Sequence, residues 1–337
     1  MVLKQPTIGG ERIVAYEPED EEEIEYYGRL VWYSIGKLLI PVDDLKELYK
    51  KHNLDIDRYF PNKIRPVDVF KVATKEMAET GIMNYMGKEV TYEFMVRPLT
   101  PTRRRLVREL RVVGIEGKED RLEYIELGEW QFNAKDNSII SIPLVKDQQY
   151  LDVFNEKTQQ LQKRYETLCN SFTDKQIRDT VRKIIYSMPK IPLRKSGSIY
   201  FIPKDKENIK VLEALSEIMN EINSKYGLSH FETEIVVMPV ITTEPNRKMI
   251  IRKFQTYVRE TISSTLKEIS EILADPNKQL HPSQYAQYVE RYNELKRLKQ
   301  EYTKLLEEEV MVAEEEYKIL SEQLAKLMEK VKVSETA

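Results

Sequence analysis

From Pro282 to about Lys332 the chain carries no glycine and no further proline, and its apolar side chains recur at helical spacing. Leu295, Leu298, Tyr302 and Leu305 follow 3-4-3 spacing, and Tyr317, Leu320, Leu324, Leu327 and Val331 repeat it. An unbroken helix over this stretch is about 75 Å long at 1.5 Å per residue. Glu314/Lys318 and Glu322/Lys326 supply i,i+4 pairs on its polar side. The register slips only near Glu309–Ala313. A seam this long has to be covered. Either it folds back on the helix before Pro282, or it pairs with another copy. These residues are therefore the candidate oligomerisation seam of a long C-terminal coiled-coil arm.

The rest of the composition favours helix and excludes several classes. Glycine and proline, 11 and 15 residues, make about 8% of the chain where about 12% is ordinary, which rules out collagen-like or Pro/Gly-rich disordered chains. Basic and acidic side chains number 53 and 56, so the whole surface is not built to coat nucleic acid. Cys169 is the only cysteine, which excludes an intrachain disulfide or a multi-Cys zinc site and suits a reducing compartment. The best apolar run, Leu30 to Val42, is interrupted by Lys37 and Pro41 and falls short of the roughly 18 residues a membrane span needs. The opening Met-Val-Leu-Lys-Gln-Pro has no apolar region behind its lysine, unlike a signal peptide. A cytoplasmic protein with no membrane partner is expected.

Composition and period shift along the chain as in an α+β protein of two domains and an arm. Residues 1–25 form a flexible lead ending in a dense acidic run from Glu17 to Glu25. Residues 26–146 read as a helical unit with an antiparallel β-meander. Leu30, Val31, Tyr33, Ser34 and Leu38 fall on adjoining helical turns, Asp43 and Asp44 stand where an N-cap is expected, and Pro66 opens a third helix. Val90, Tyr92, Phe94 and Val96 then alternate with polar neighbours, and strands follow at Arg104–Ile115, Arg121–Leu127, Trp130–Phe132 and Ser138–Ile142. Residues 147–190 are connecting helices. Residues 191–275 run strand, helix, strand, helix, a small βαβα domain that lets its two strands pair in parallel. The arm occupies 276–337.

Signals for catalysis are weak. His52, His230 and His281 have no second ligand at metal-binding spacing. No Walker loop, GxGxxG or G-x-S-x-G occurs. Lys195-Ser196-Gly197-Ser198 precedes a strand and does not open a helix, so it lacks the usual geometry for a phosphate. Glu123, Glu126 and Glu129 leave a metal-dependent nuclease as the third option. No catalytic residue, cofactor or metal is expected.

The strongest electrostatic feature is local. Arg97, Arg103, Arg104, Arg105, Arg108 and Arg111 are opposed between them by Glu109 alone. Three of these stand at a hairpin tip, where guanidinium groups can meet a phosphate backbone together. The alternative is pairing with the acidic lead or with glutamates on the neighbouring strand.

The phrases Leu30-Val31-Trp32-Tyr33-Ser34-Ile35, Arg65-Pro66-Val67-Asp68-Val69-Phe70-Lys71-Val72-Ala73-Thr74 and Lys195-Ser196-Gly197-Ser198-Ile199-Tyr200-Phe201-Ile202-Pro203 form a set. Together they resemble an uncharacterised family carried by bacteriophages and plasmids, over about residues 25–275. The resemblance implies a mobile-element origin and assigns no activity. The leading expectation is a non-enzymatic oligomeric binding protein that engages DNA or RNA through the basic hairpin. The alternative is an anti-defence protein that binds a host immune protein or sequesters a nucleotide signal.

Overall fold

In the computed structural model of the chain the described residues are 7–8, 11–12, 25–85, 88–113, 119–194, 199–228, 232–275, 280–306 and 314–336, with side chains described outside 7–12, 83–90, 107–123 and 331–336. Most of the acidic lead and the Lys195–Ser198 segment lie outside them. A short pair, β1 (Thr7–Ile8) with β2 (Glu11–Arg12), precedes β3 (Tyr26–Ser34). The helix expected over Tyr26–Ser34 is thus a strand. Its Tyr, Val and Trp side chains favour a pleated surface, and β3 lies between neighbours on both edges with burial that does not alternate cleanly. Helical spacing there is accidental.

Next come β4 (Leu39–Pro41), α1 (Val42–Lys51), α2 (Ile56–Tyr59) and α3 (Pro66–Lys75). Asp43 and Asp44 are not the N-cap of α1. Pro41 is, and the two carboxylates sit in the first turn, where they meet the positive end of the helix dipole. Five strands follow: β5 (Glu79–Tyr85), β6 (Lys88–Thr100), β7 (Arg103–Val113), β8 (Glu119–Asn133) and β9 (Ser138–Pro143). They form a sequential antiparallel meander that begins one strand earlier than expected, with β5. The two strands expected over Arg121–Leu127 and Trp130–Phe132 are one. Leu106 pairs with Gly128 and Val107 with Glu126, so Leu127 is a bulge within β8. The remaining elements are α4 (Gln148–Cys169), β10 (Ser171–Thr173), α5 (Asp174–Tyr186), β11 (Ile191–Pro192), β12 (Ile199–Pro203), α6 (Lys206–Tyr226), β13 (Glu234–Ile241), α7 (Glu244–Ala274), α8 (Pro282–Leu306) and α9 (Glu314–Thr336).

The chain divides into two compact units. One comprises Met1–Ser34, Lys183–Met219 and Glu234–Ala337, the other Ile35–Arg182 and Asn220–Thr233. In the first unit the sheet order is β11-β12-β3-β13, every pair antiparallel. The parallel pairing expected of β12 and β13 does not occur, because β3 fills the slot between them. Gly28 makes that possible: a Cβ there would run into the carbonyl oxygen of Ile202.

The expected rod is likewise two helices. Tyr317 donates its hydroxyl to the Leu295 carbonyl at 3.0 Å, whereas 22 residues of straight helix span about 33 Å. Arg247 in α7 donates to the carbonyl of Leu306, so α8 runs antiparallel to α7. Lys330 in α9 reaches the carbonyl of Ile272, so α9 runs alongside α7 again. The sequence register slips between the two helices, near Glu309–Ala313; residues 307–313 lie outside the described set. Leu295, Leu298, Tyr302, Tyr317, Leu320, Leu324 and Leu327 are buried with Ile250, Phe254, Val258, Ile262 and Ile269 of α7. Leu305 is half-buried, and the side chain of Val331 is outside the described residues. The seam is therefore covered by its own chain, which removes the physical reason to expect a second copy on it. An extended coiled-coil arm is not what these residues form.

In the second unit one face of the meander packs on helices. Phe94, Leu106, Trp130 and Phe132 point towards Val69 and Phe70 of α3 and Phe154 and Leu161 of α4. Trp130 stacks on Phe154 and donates Nε1–H to Thr158 Oγ1 at 2.9 Å, so its one polar atom is satisfied in the core.

Candidate polyanion-binding face

Strand alternation decides where the arginines go. Leu106 faces α3 and α4, so Arg103 and Arg105 point to the opposite face, where Arg97 lies directly across from Arg105. That face is open: Arg97 is exposed, as are Ile82, Tyr124, Ile140 and Ile142. Arg104 points the other way. Its guanidinium lies 6.0 Å over Phe70 and donates to the carbonyl oxygens of Arg103 and Thr100, and burial there lowers its pKa. Arg108 and Arg111 belong to β7 opposite Phe94 and Thr91, with side chains outside the described residues. The sequence cluster is thus split between two faces.

Glu129 of β8 stands opposite Arg105. Its carboxylate accepts from Arg103 Nη2 at 2.6 Å and from Arg105 Nη2 at 2.8 Å, while Arg105 Nη1 reaches Glu126 at 3.0 Å. Pairing with neighbouring-strand glutamates therefore holds for Arg103 and Arg105. Arg97 has no ion pair among the described residues. With Glu93, whose register places it on the same face, the described charges there balance.

Hydrogen bonds from Arg105 and Arg103 hold the Glu129 carboxyl below the ordinary carboxylate range. A depressed carboxyl stabilises the fold fully above its unfolded pKa, about 4.3 for Glu, and that contribution fades as pH falls through the lower folded value. Denaturation midpoints should accordingly drop below about pH 4, and Glu129→Gln should flatten that drop. Urea melts from pH 3 to 6 on both proteins check it; identical pH profiles would show that the pair contributes nothing.

The other candidates are occupied or lie outside the described residues. His52 Nε2 meets Glu221 at 2.6 Å, His281 bonds Ser283, and His230 lies outside the described residues. Among the described residues no group of three His, Cys, Asp or Glu could hold a metal ion. Of the carboxylates considered for a nuclease, Glu126 and Glu129 are bound to arginines and the side chain of Glu123 is outside the described set. The first unit has an open cleft of about 770 Å³ at the entry to β3, with Lys204, Arg247 and Lys304 on its walls against Glu25, Asp205 and Glu301. Its charged lining residues are three of each sign, a balance like that of the meander's open face. No described helix is long and apolar enough to cross a membrane.

These features define an α+β protein of antiparallel sheets whose larger sheet leaves one face open, set with arginine–glutamate pairs. The chain belongs to a family of unknown function, DUF6744, whose model matches residues 26–333. The match extends beyond the expected 25–275 to take in α8 and nearly all of α9. No curated protein and no solved structure matches the chain.

Proposed function

We propose that the chain is a non-enzymatic binding protein of a mobile genetic element that engages a polyanion, DNA or RNA, through the open face of the meander. The observation that carries this reading is the placement of Arg97, Arg103 and Arg105 together on that face, with Tyr124 exposed further along it. Adjacent guanidinium groups suit successive phosphate oxygens, and an exposed ring offers a surface on which an unpaired base stacks. Glu129 and Glu126 compete for two of the arginines, so binding is expected to be modest and steeply weakened by salt. Gel shifts with single-stranded and duplex oligonucleotides at low and moderate salt provide the test. Replacing Arg97, Arg103 and Arg105 with alanine should weaken binding at least tenfold. Equal wild-type and mutant affinity would remove the face from this reading.

A protein partner, such as a host defence protein, is the second reading. The balanced charges and the exposed Ile82, Tyr124, Ile140 and Ile142 favour it, because protein interfaces mix aromatic, apolar and arginine side chains in this way. A stoichiometric protein recovered without nucleic acid would select it.

A further inference from the structure

We infer that β9 is a strand-pairing edge that joins two copies of this chain. β9 is the last strand of the meander, and among the described residues nothing pairs with its outer edge. Leu144 N–H donates to the Leu127 carbonyl at 3.0 Å. Antiparallel alternation then turns the backbone groups of Ile142, Ile140 and Ser138 towards β8 and those of Ile139, Ser141 and Pro143 outwards. Edge strands are ordinarily protected by charge. Here Ser138 to Val145 reads Ser-Ile-Ile-Ser-Ile-Pro-Leu-Val, without one charged residue. Ile140 and Ile142 are 46% and 36% exposed, and Ser141 between them is exposed as well.

The occupant follows from the strand's self-complementarity. In an antiparallel pair about a two-fold axis at Ser141, the Ser141 N–H and C=O groups bond each other in both directions. Ile139 N–H meets the carbonyl of Pro143 in the other copy, so the missing proline N–H leaves only the Ile139 carbonyl without a strand partner. Ile140 then lies opposite Ile142 of the other copy, twice over, at the non-hydrogen-bonded positions where side chains approach most closely. Centring the axis on Ile140 instead sets both Ile142 side chains against Ser138. With no charge on the strand, the two-fold brings no like charges together. Pairing one short strand is a small interface of the weak, transient class, so association should follow concentration. The inference uses the edge and not the arginines, and it stands whether or not the open face binds a polyanion.

Light scattering on the full chain from micromolar to hundreds of micromolar tests it, with hydrogen exchange of the wild type at both ends of that range. The mass should rise from 39.9 kDa towards twice that value, and the Ile139 and Ser141 amides should exchange at least tenfold more slowly at the high end. The Ile140→Lys/Ile142→Lys variant and, separately, Ser141→Pro should stay at the mass of one chain with unchanged circular dichroism. A wild type that remains monomeric throughout, a dimer that survives both variants, or Ile139 and Ser141 amides indifferent to concentration would each overturn it.

Discussion

Tyr302→Ala is expected to lower the stability of the first unit by about 3–5 kcal/mol, whereas Tyr302→Phe leaves it unchanged or raises it by about 1 kcal/mol. Tyr302 is fully buried, its ring stacked on Phe254 at 4.6 Å and edge-on to Phe201 at 6.1 Å, so it joins α8 to both α7 and β12. Deleting the ring opens a cavity where these three elements meet. The hydroxyl is a different matter. It is buried with no hydrogen-bond partner among the described residues, and burial raises its pKa well above the ordinary tyrosine value. Removing that oxygen relieves a desolvation cost and takes away no contact the fold uses. Urea denaturation of the three proteins, followed by circular dichroism, separates the effects. A Phe variant weaker than wild type by more than about 1 kcal/mol would mean that the hydroxyl has a partner after all.

Gly28→Ala should cost about 3 kcal/mol, and more than Gly128→Ala. Both glycines sit where a neighbouring strand's carbonyl comes close, but the overlap is deeper at Gly28. A Cβ at Gly28 collides with the backbone of Ile202 in the neighbouring strand, which cannot yield without breaking the β3–β12 register. At Gly128 the nearest atoms belong to the end of the Phe154 ring, at 2.5 Å, which can turn aside, and the Ile142 carbonyl oxygen of β9 lies at 2.7 Å, a shallower overlap than the 2.1 Å to Ile202 at Gly28. The ring's stack on Trp130 would be disturbed, but the sheet would persist. Denaturation midpoints rank the pair. The reverse order would show that β12 is not held against β3 as closely as this structure has it.

The meander was legible because its strands alternate: Val90 to Val96 place one kind of residue on each face, and only a strand does that. β3 was not, since it is enclosed by strands on both edges and its apolar residues match a helical stripe as well as a pleat. The C-terminal hairpin left a trace in the register slip near Glu309–Ala313, yet spacing alone does not distinguish a stutter in a rod from a reversal. What covers the seam was equally hidden, because α7 supplies its partners from residues 250–272 and their own spacing names no neighbour. Pairing of Glu129 with Arg103 and Arg105 depends on the bulge at Leu127, which shifts β8 by one residue against β7. That shift has no signature in the residues around it. The arginine cluster was therefore visible in the sequence, and its division between two faces was not. β4 and β10, three residues each and far apart in sequence, lie below what any periodicity reveals.

Glu129→Gln offers the most direct test of the open face as a binding surface. Glutamine keeps the shape of the side chain and still accepts a hydrogen bond, but it gives up the negative charge that Arg103 and Arg105 now share. Fluorescence anisotropy with a labelled single-stranded oligonucleotide at low salt measures the consequence, on protein shown by circular dichroism to be folded. A face that meets phosphates should bind the oligonucleotide several-fold more tightly once its competitor is neutral. Equal or weaker binding by the variant would contradict that, and would leave these arginines as ties between strands and nothing more.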